Sequence, residues 1–192
     1  MKNKWLIRRI ISMVLCTFIL GTTGCGNKTD KEPISDENAI STAKTLQTEK
    51  WGAKAAKEDK NLSVEKMLTY AIENEYLRKA KYEEIIKKFG DKRSFTDILK
   101  AKNVNISLLK TTFSKYKIPI PKDRSREFFR TSSNIEESFE ISIGEEIENM
   151  AMYNRFIMKK GVPQELIMIF VRLRDASRAN LQALEIGLKR VR

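Results

Sequence analysis

The chain has 192 residues, of which 37 are Lys or Arg, 25 are Asp or Glu and none is His. Without imidazole it has neither the commonest metal ligand nor the usual general base, which excludes His-dependent hydrolases and His-ligated zinc or iron sites. Its two cysteines, Cys16 and Cys25, make no CxxC pair or zinc spacing, and no Gly-rich phosphate loop is present.

At the N-terminus, Lys2, Lys4, Arg8 and Arg9 precede an apolar run from Ile10 to Leu20. A spanning helix needs ~20 apolar residues, so this shorter run reads as a secretory signal and not as an anchor. It ends in Leu20-Gly-Thr-Thr-Gly-Cys25, which resembles a bacterial lipobox with Thr22 where leucine is usual. The resemblance implies that residues 1–24 are removed and that Cys25 is lipidated as the first residue of the mature chain. No disulfide then remains to be made, because Cys16 is discarded and Cys25 is consumed. Each acyl CH₂ buried in a bilayer contributes ~0.8 kcal/mol, so a multiply acylated cysteine would hold the chain on the membrane with its body in water. The expected location is the extracytoplasmic side of a bacterial cell membrane. Without the four basic residues of the leader, 33 bases face 25 acids, a balance of +8 that suits an anionic membrane surface or envelope polymer. Nucleic acid is not an expected partner for an exported chain.

From Gly26 to Asn61 the chain is polar, with Pro33, Gly52 and mixed charges, and residues 25–61 read as a lipidated cysteine and flexible linker. Ile40, Ala43, Leu46 and Trp51 form a weak helical pattern, compatible with one or two turns folded against the body. The folded body is expected over residues 62–192. Its first helix starts at Leu62-Ser63, with Ser63 as cap and Leu62 stapled on Met67. Leu68, Ala71, Glu75, Tyr82, Ile85 and Phe89 then recur at helical spacing until Gly90.

Ser94-Phe-Thr-Asp97 has the spacing of a capping box and is expected to open a second helix, antiparallel to the first, that runs to Tyr116. Its apolar stripe, Ile98, Leu109 and Phe113, also carries Lys102 and Asn105. Pro119 and Pro121 forbid continuation and start the one long connection. A third helix spans Ile135 or Ser138 to Lys160, with Ile143, Ile147, Met150, Ala151 and Ile157 expected inward and Glu148 beside them. Pro163 opens a fourth, whose stripe of Leu166, Phe170, Leu173, Leu181, Leu184 and Leu188 is interrupted by Ser177 and Asn180. There is no strand signal. The pattern predicts an all-α, ferritin-like antiparallel four-helix bundle with its long crossover between helices two and three.

Each helix thus brings polar groups to its inward face. A di-iron carboxylate bundle carries one glutamate on each of two helices and a Glu-x-x-His pair on each of the others. Here the single glutamates are Glu75 and Glu148, while the paired positions read Lys102-x-x-Asn105 and Ser177-x-x-Asn180. Two buried carboxylates repel unless a cation lies between them. The expectation is that the Lys102 ammonium lies among Glu75 and Glu148, with Asn105 and Asn180 donating hydrogen bonds, and that no metal or other cofactor is held.

Tyr70-Ala-Ile-Glu-Asn-Glu75 through Tyr82, Phe95-Thr-Asp-Ile98 through Tyr116, Gly144-x-x-Ile147-Glu148 and Ala176-Ser177-Arg-Ala-Asn180-Leu181 together resemble the bacterial ferritin-like family catalogued as domain of unknown function 2202. The resemblance covers most of Leu62 to Arg192 and implies a ferritin-like bundle. The family usually has histidine at the place of Asn180, so this chain resembles a degenerate member lacking the metal-site histidines.

The expected function is that of a non-enzymatic, lipid-anchored envelope protein whose bundle serves as a structural or binding module. Its expected partners are the membrane through the lipid, an anionic envelope polymer or protein, and a second copy of the chain. The competing reading is a metal-binding protein or oxidase with a carboxylate-only site drawn from Glu75, Glu148, Glu145 or Asp175, chemistry open to calcium, magnesium or manganese. A Ser107/Lys110 dyad on one helix face is a weaker nucleophile candidate.

Overall fold

The structure, a computed structural model, describes residues 49–192; the expected signal segment, Cys25 and most of the linker lie outside the described residues. All regular structure among the described residues is helical: α1 (Ala53–Glu58), α2 (Val64–Phe89), α3 (Arg93–Lys115), a 3₁₀ turn (Ser125–Glu127), α4 (Ile135–Ile157) and α5 (Gln164–Val191). None of these helices is long and apolar enough to cross a membrane.

Side-chain caps start two of the five described α-helices. Ser63 accepts from the Lys66 amide at 3.2 Å to start α2, and Asn134 accepts from the Glu137 amide at 2.9 Å to start α4. Helix α3 departs from the expected capping box, because it begins at Arg93 after an extended Lys92. Ser94 has another partner: its hydroxyl donates to the Ala183 carbonyl of α5 at 3.0 Å, tying two helices together. At its far end α3 closes with the Ile118 amide on the Phe113 carbonyl at 3.0 Å, after which Pro119 and Pro121 begin the crossover.

Helices α2 and α3 pack as one hairpin and α4 and α5 as a second, and the two meet through α3–α5 and α2–α4 contacts. Two apolar clusters result. The larger, with Leu68, Ile72, Leu109, Phe113, Phe156, Phe170 and Leu173, fills one end. The smaller, Tyr82, Ile85, Phe95, Ile98, Phe139 and Leu184, fills the other, where Phe95 stacks on Phe139 at 4.5 Å. The layer between them is polar.

The folded body begins before Leu62. Trp51 is buried and stacks on Phe128 of the crossover with ring centroids 5.0 Å apart. Ala53 and Ala56 bury one face of α1, and Arg155 of α4 donates to the carbonyls of Ala56 and Asp59. Gly52 approaches α2 so closely that a Cβ there would lie 2.9 Å from the Asn74 Cα. The last third of the expected linker is therefore a strap packed on the body, built from a single tryptophan and small residues that carry little periodic signal.

Candidate functional site

The polar layer is organised by two buried carboxylates. Glu75 on α2 accepts from the Tyr153 hydroxyl at 3.1 Å and from Asn105 Nδ2 at 3.1 Å. Glu146 on α4 accepts from the Tyr82 hydroxyl at 3.2 Å and from Asn180 Nδ2 at 3.4 Å. Between them lies the Lys102 ammonium of α3, 3.0 Å from Glu146 Oε1 and 3.5 Å from Glu75 Oε2, with all three side chains fully buried. Those are ion-pair distances. Burial by itself would drive the Lys102 ammonium down, but Glu146 and Glu75 outweigh it and hold the group above its ordinary value. Burial likewise pushes the Glu146 carboxyl up, and Lys102 and Arg78 pull it below its ordinary value.

A second ion cluster adjoins the first. Glu145 binds both Arg78 and Lys81 of α2, and the Arg78 Nη2 also donates to the Glu145 carbonyl at 3.3 Å. Arg78 and Lys81 are buried beside a half-buried Glu145, and the two cations overcome burial to hold the Glu145 carboxyl low. Three carboxylates, Glu75, Glu145 and Glu146, are thus matched by three cations, Arg78, Lys81 and Lys102. Beside them a neutral chain runs from Asn74 Nδ2 to Asn149 Oδ1 at 2.8 Å and from Asn149 Nδ2 to the Ser177 hydroxyl at 2.7 Å.

The layer has an approximate two-fold repeat that follows the two hairpins. Glu75 is followed seven residues later by Tyr82, and Glu146 seven later by Tyr153; each tyrosine crosses to the other hairpin's glutamate. Lys102 and Asn105 on α3 correspond to Ser177 and Asn180 on α5, with Phe95 and Phe170 seven residues before them. Lys102 breaks the symmetry: a long cation on one side faces a short hydroxyl on the other. One lysine therefore serves both carboxylates.

Of the expected residues, Glu75, Lys102, Asn105, Ser177 and Asn180 are all buried in this layer. Glu148 is not. It is exposed on α4, and Glu146 holds the place assigned to it. The cause is a rotated helix face. Ile147 is 51% exposed and Ala151 is also exposed, while α4 buries Ser138, Phe139, Ser142, Glu146, Asn149, Met152, Tyr153 and Phe156. Half of the buried face is polar while Ile147 and Ala151 lie outside, which blurs the usual pattern. The repeated Glu-to-Tyr spacing of seven was the signal that would have selected Glu146.

The same geometry disperses the carboxylate-only metal set. Glu148 and Asp175 are exposed, Asp175 pairs with Arg174 and Arg178, and Glu145 is taken by Arg78 and Lys81. Among the described residues no three Asp, Glu or Cys side chains are grouped so as to hold a metal ion. The residues present do not fit the di-metal centre that the family resemblance implies: the donors nearest the two glutamates include an ammonium and two amides, and a divalent ion would meet a layer already neutral. Ser107 and Lys110 are exposed, and the Ser107 hydroxyl donates to the Asn103 carbonyl at 3.0 Å. No family model, curated protein or solved structure matches this chain.

Proposed function

We propose that the chain is a lipid-anchored protein of the bacterial envelope, in which a ferritin-like four-helix bundle has exchanged a di-metal centre for an internal ion cluster and acts as a non-enzymatic structural or binding module. The observation that carries the reading is Lys102, fully buried at ion-pair distance from both Glu75 and Glu146. An ammonium between two carboxylates does electrostatically what a bridging metal would do, and it offers no open coordination position and no redox chemistry. The resemblance of the four helix motifs to the family catalogued as domain of unknown function 2202, and the two helical hairpins joined by one long crossover, support the bundle. The basic leader and the sequence before Cys25 support the anchor.

Two measurements test this. Protein incubated with ferrous iron or manganese and passed through gel filtration should retain no stoichiometric metal and should not accelerate ferrous oxidation; retained metal at one or two ions per chain would reject the reading. Labelled palmitate should enter the native chain and not Cys25→Ser, and equal labelling of the two would reject the anchor.

A further inference from the structure

The α4 face that misleads the sequence reading has a use of its own. Glu140, Gly144, Ile147, Ala151, Asn154 and Met158 recur at alternating steps of four and three residues, and every one is exposed. Met158 is 82% exposed and Ile147 51%, and a Cβ added at Gly144 would meet nothing within 4 Å. This is the spacing with which one helix packs along another, and Gly144 and Ala151 would let two backbones approach closely. Among the described residues the stripe is reached by Arg174, whose Nη1 donates to Asn154 Oδ1 at 3.4 Å, and by Arg192, which pairs with Glu140, and its middle from Gly144 to Ala151 is left exposed.

Charge selects the occupant. The first turns of α4 carry Glu136, Glu137 and Glu140, of which Glu136 and Glu140 share the single cation Arg192, so that this end keeps a net negative charge. Past its other end stand Lys159 and Lys160, and Lys60 and Lys159 flank a groove lined by Leu62, Ala151 and Met158. Lys60, Lys159 and Lys160 make no ion pair among the described residues. A helix acidic at its start and basic at its end complements itself only when reversed. We infer that α4 is a homodimer interface: a second copy of the chain packs its α4 antiparallel on this stripe, with the two-fold axis beside Ile147 and Glu148. In that register Gly144 faces the partner copy's Ala151-equivalent position, Ile141 enters the groove over Leu62, and the acidic first turns meet Lys60, Lys159 and Lys160, each contact occurring twice.

The stripe is about 27 Å long at 1.5 Å per residue, a modest area for a protein interface. The dimer is accordingly of the micromolar class, and tethering two copies to one surface would raise its occupancy. The inference goes beyond the proposed function and does not depend on lipidation.

The test uses the full chain carrying Cys16→Ser and Cys25→Ser, in mild detergent, with one new thiol at a time. A residue beside a two-fold axis lies next to its own copy, so Ile147→Cys should form an intermolecular disulfide on mild oxidation. Val104→Cys, which is 54% exposed on α3 in the native chain, should not. Ile147→Glu should leave the melting temperature unchanged and weaken association by on the order of 100-fold, because its carboxylates would meet the two Glu148 carboxylates at the axis; sedimentation reads this at up to ~100 μM chain, well above a micromolar constant. A chain monomeric throughout that range, or cross-linking at 104 as efficient as at 147, overturns the inference. So does a monomer whose thiol at 147 is shielded from reagent, which would give the stripe to the chain's own first 48 residues instead.

Discussion

Replacing Lys102 by methionine removes one charge from a buried layer in which three anions balance three cations. Methionine matches the lysine stem in length, so the cavity term is small and the loss is electrostatic. Glu75 and Glu146 would remain fully buried with only tyrosine and amide donors. Breaking a buried pair in this way costs ~3–5 kcal/mol, which at ~2–4 °C per kcal/mol for a body of this size lowers the melting temperature by about 6–20 °C. Circular dichroism at 222 nm reads the transition. The sign of the pH dependence follows from the same geometry. In Lys102→Met the folded-state pKa of one carboxyl must rise above its unfolded value, so the variant takes up a proton on folding and its deficit shrinks as pH falls from 7 to 5. A second substitution, Lys102→Met with Glu146→Gln, restores neutrality and should recover most of the loss. An unchanged midpoint in the single variant, or a double variant no more stable than the single, would refute the ion-cluster argument.

Other expectations follow from particular contacts. Glu73 accepts from the Gly52 amide at 3.1 Å, and burial raises its carboxyl to about 7 although that amide and Trp51 act against the rise. Its folded value lies above the unfolded one, so its contribution is fully present below pH 4.5 and is lost as pH rises through 7. Glu73→Gln should thus be more stable than the native protein at pH 8, by about 2 kcal/mol after allowing for solvent access, and equal to it near pH 4.5, as read by denaturant titration. Tyr82→Phe and Tyr153→Phe each remove a donor to a buried carboxylate and should cost a similar ~1.5–3 kcal/mol; widely unequal losses would argue against the two-fold arrangement. A Cβ at Gly187 would overlap the Phe139 ring and lie 2.9 Å from the Ser94 hydroxyl, so Gly187→Ala should destabilise by ~1–3 kcal/mol. Gly144→Ala, in open space on the same hairpin, should stabilise the monomer by ~0.5–1 kcal/mol.

The helices were legible in the sequence because Gly90, Gly161, Pro119 and Pro163 punctuate runs whose apolar period is plain, and because α2, α3 and α5 bury the stripes that hydropathy selects. Lys102, Asn105, Ser177 and Asn180 could be found for the same reason, as polar intrusions in otherwise apolar stripes. Helix α4 resisted this reading. Its inner face carries Ser138, Ser142, Glu146 and Asn149, while Ile147 and Ala151 point outward, so a rule that turns apolar residues inward rotates the helix and selects Glu148. Only the pairing of Glu146 with Lys102 and of Tyr153 with Glu75, contacts between residues distant in sequence, fixes the true face. The strap at Trp51, expected only as one or two turns against the body within a linker, left a weak trace on different grounds. Its docking depends on one stacked ring, two small residues and the guanidinium of Arg155, none of which produces a local period.

The central claim is that a charged lysine, enclosed by two carboxylates, occupies the middle of the body. Nitrogen-15 NMR of the side-chain ammonium groups addresses it directly, since a buried ammonium exchanges its protons slowly and titrates apart from solvated lysines. The account predicts two such signals, from Lys102 and Lys81, of which the one lost in Lys102→Met remains charged above the ordinary lysine value because Glu146 and Glu75 hold it there. A Lys102 signal that exchanges and titrates with the surface lysines, or one that is a neutral amine at pH 7, would contradict it.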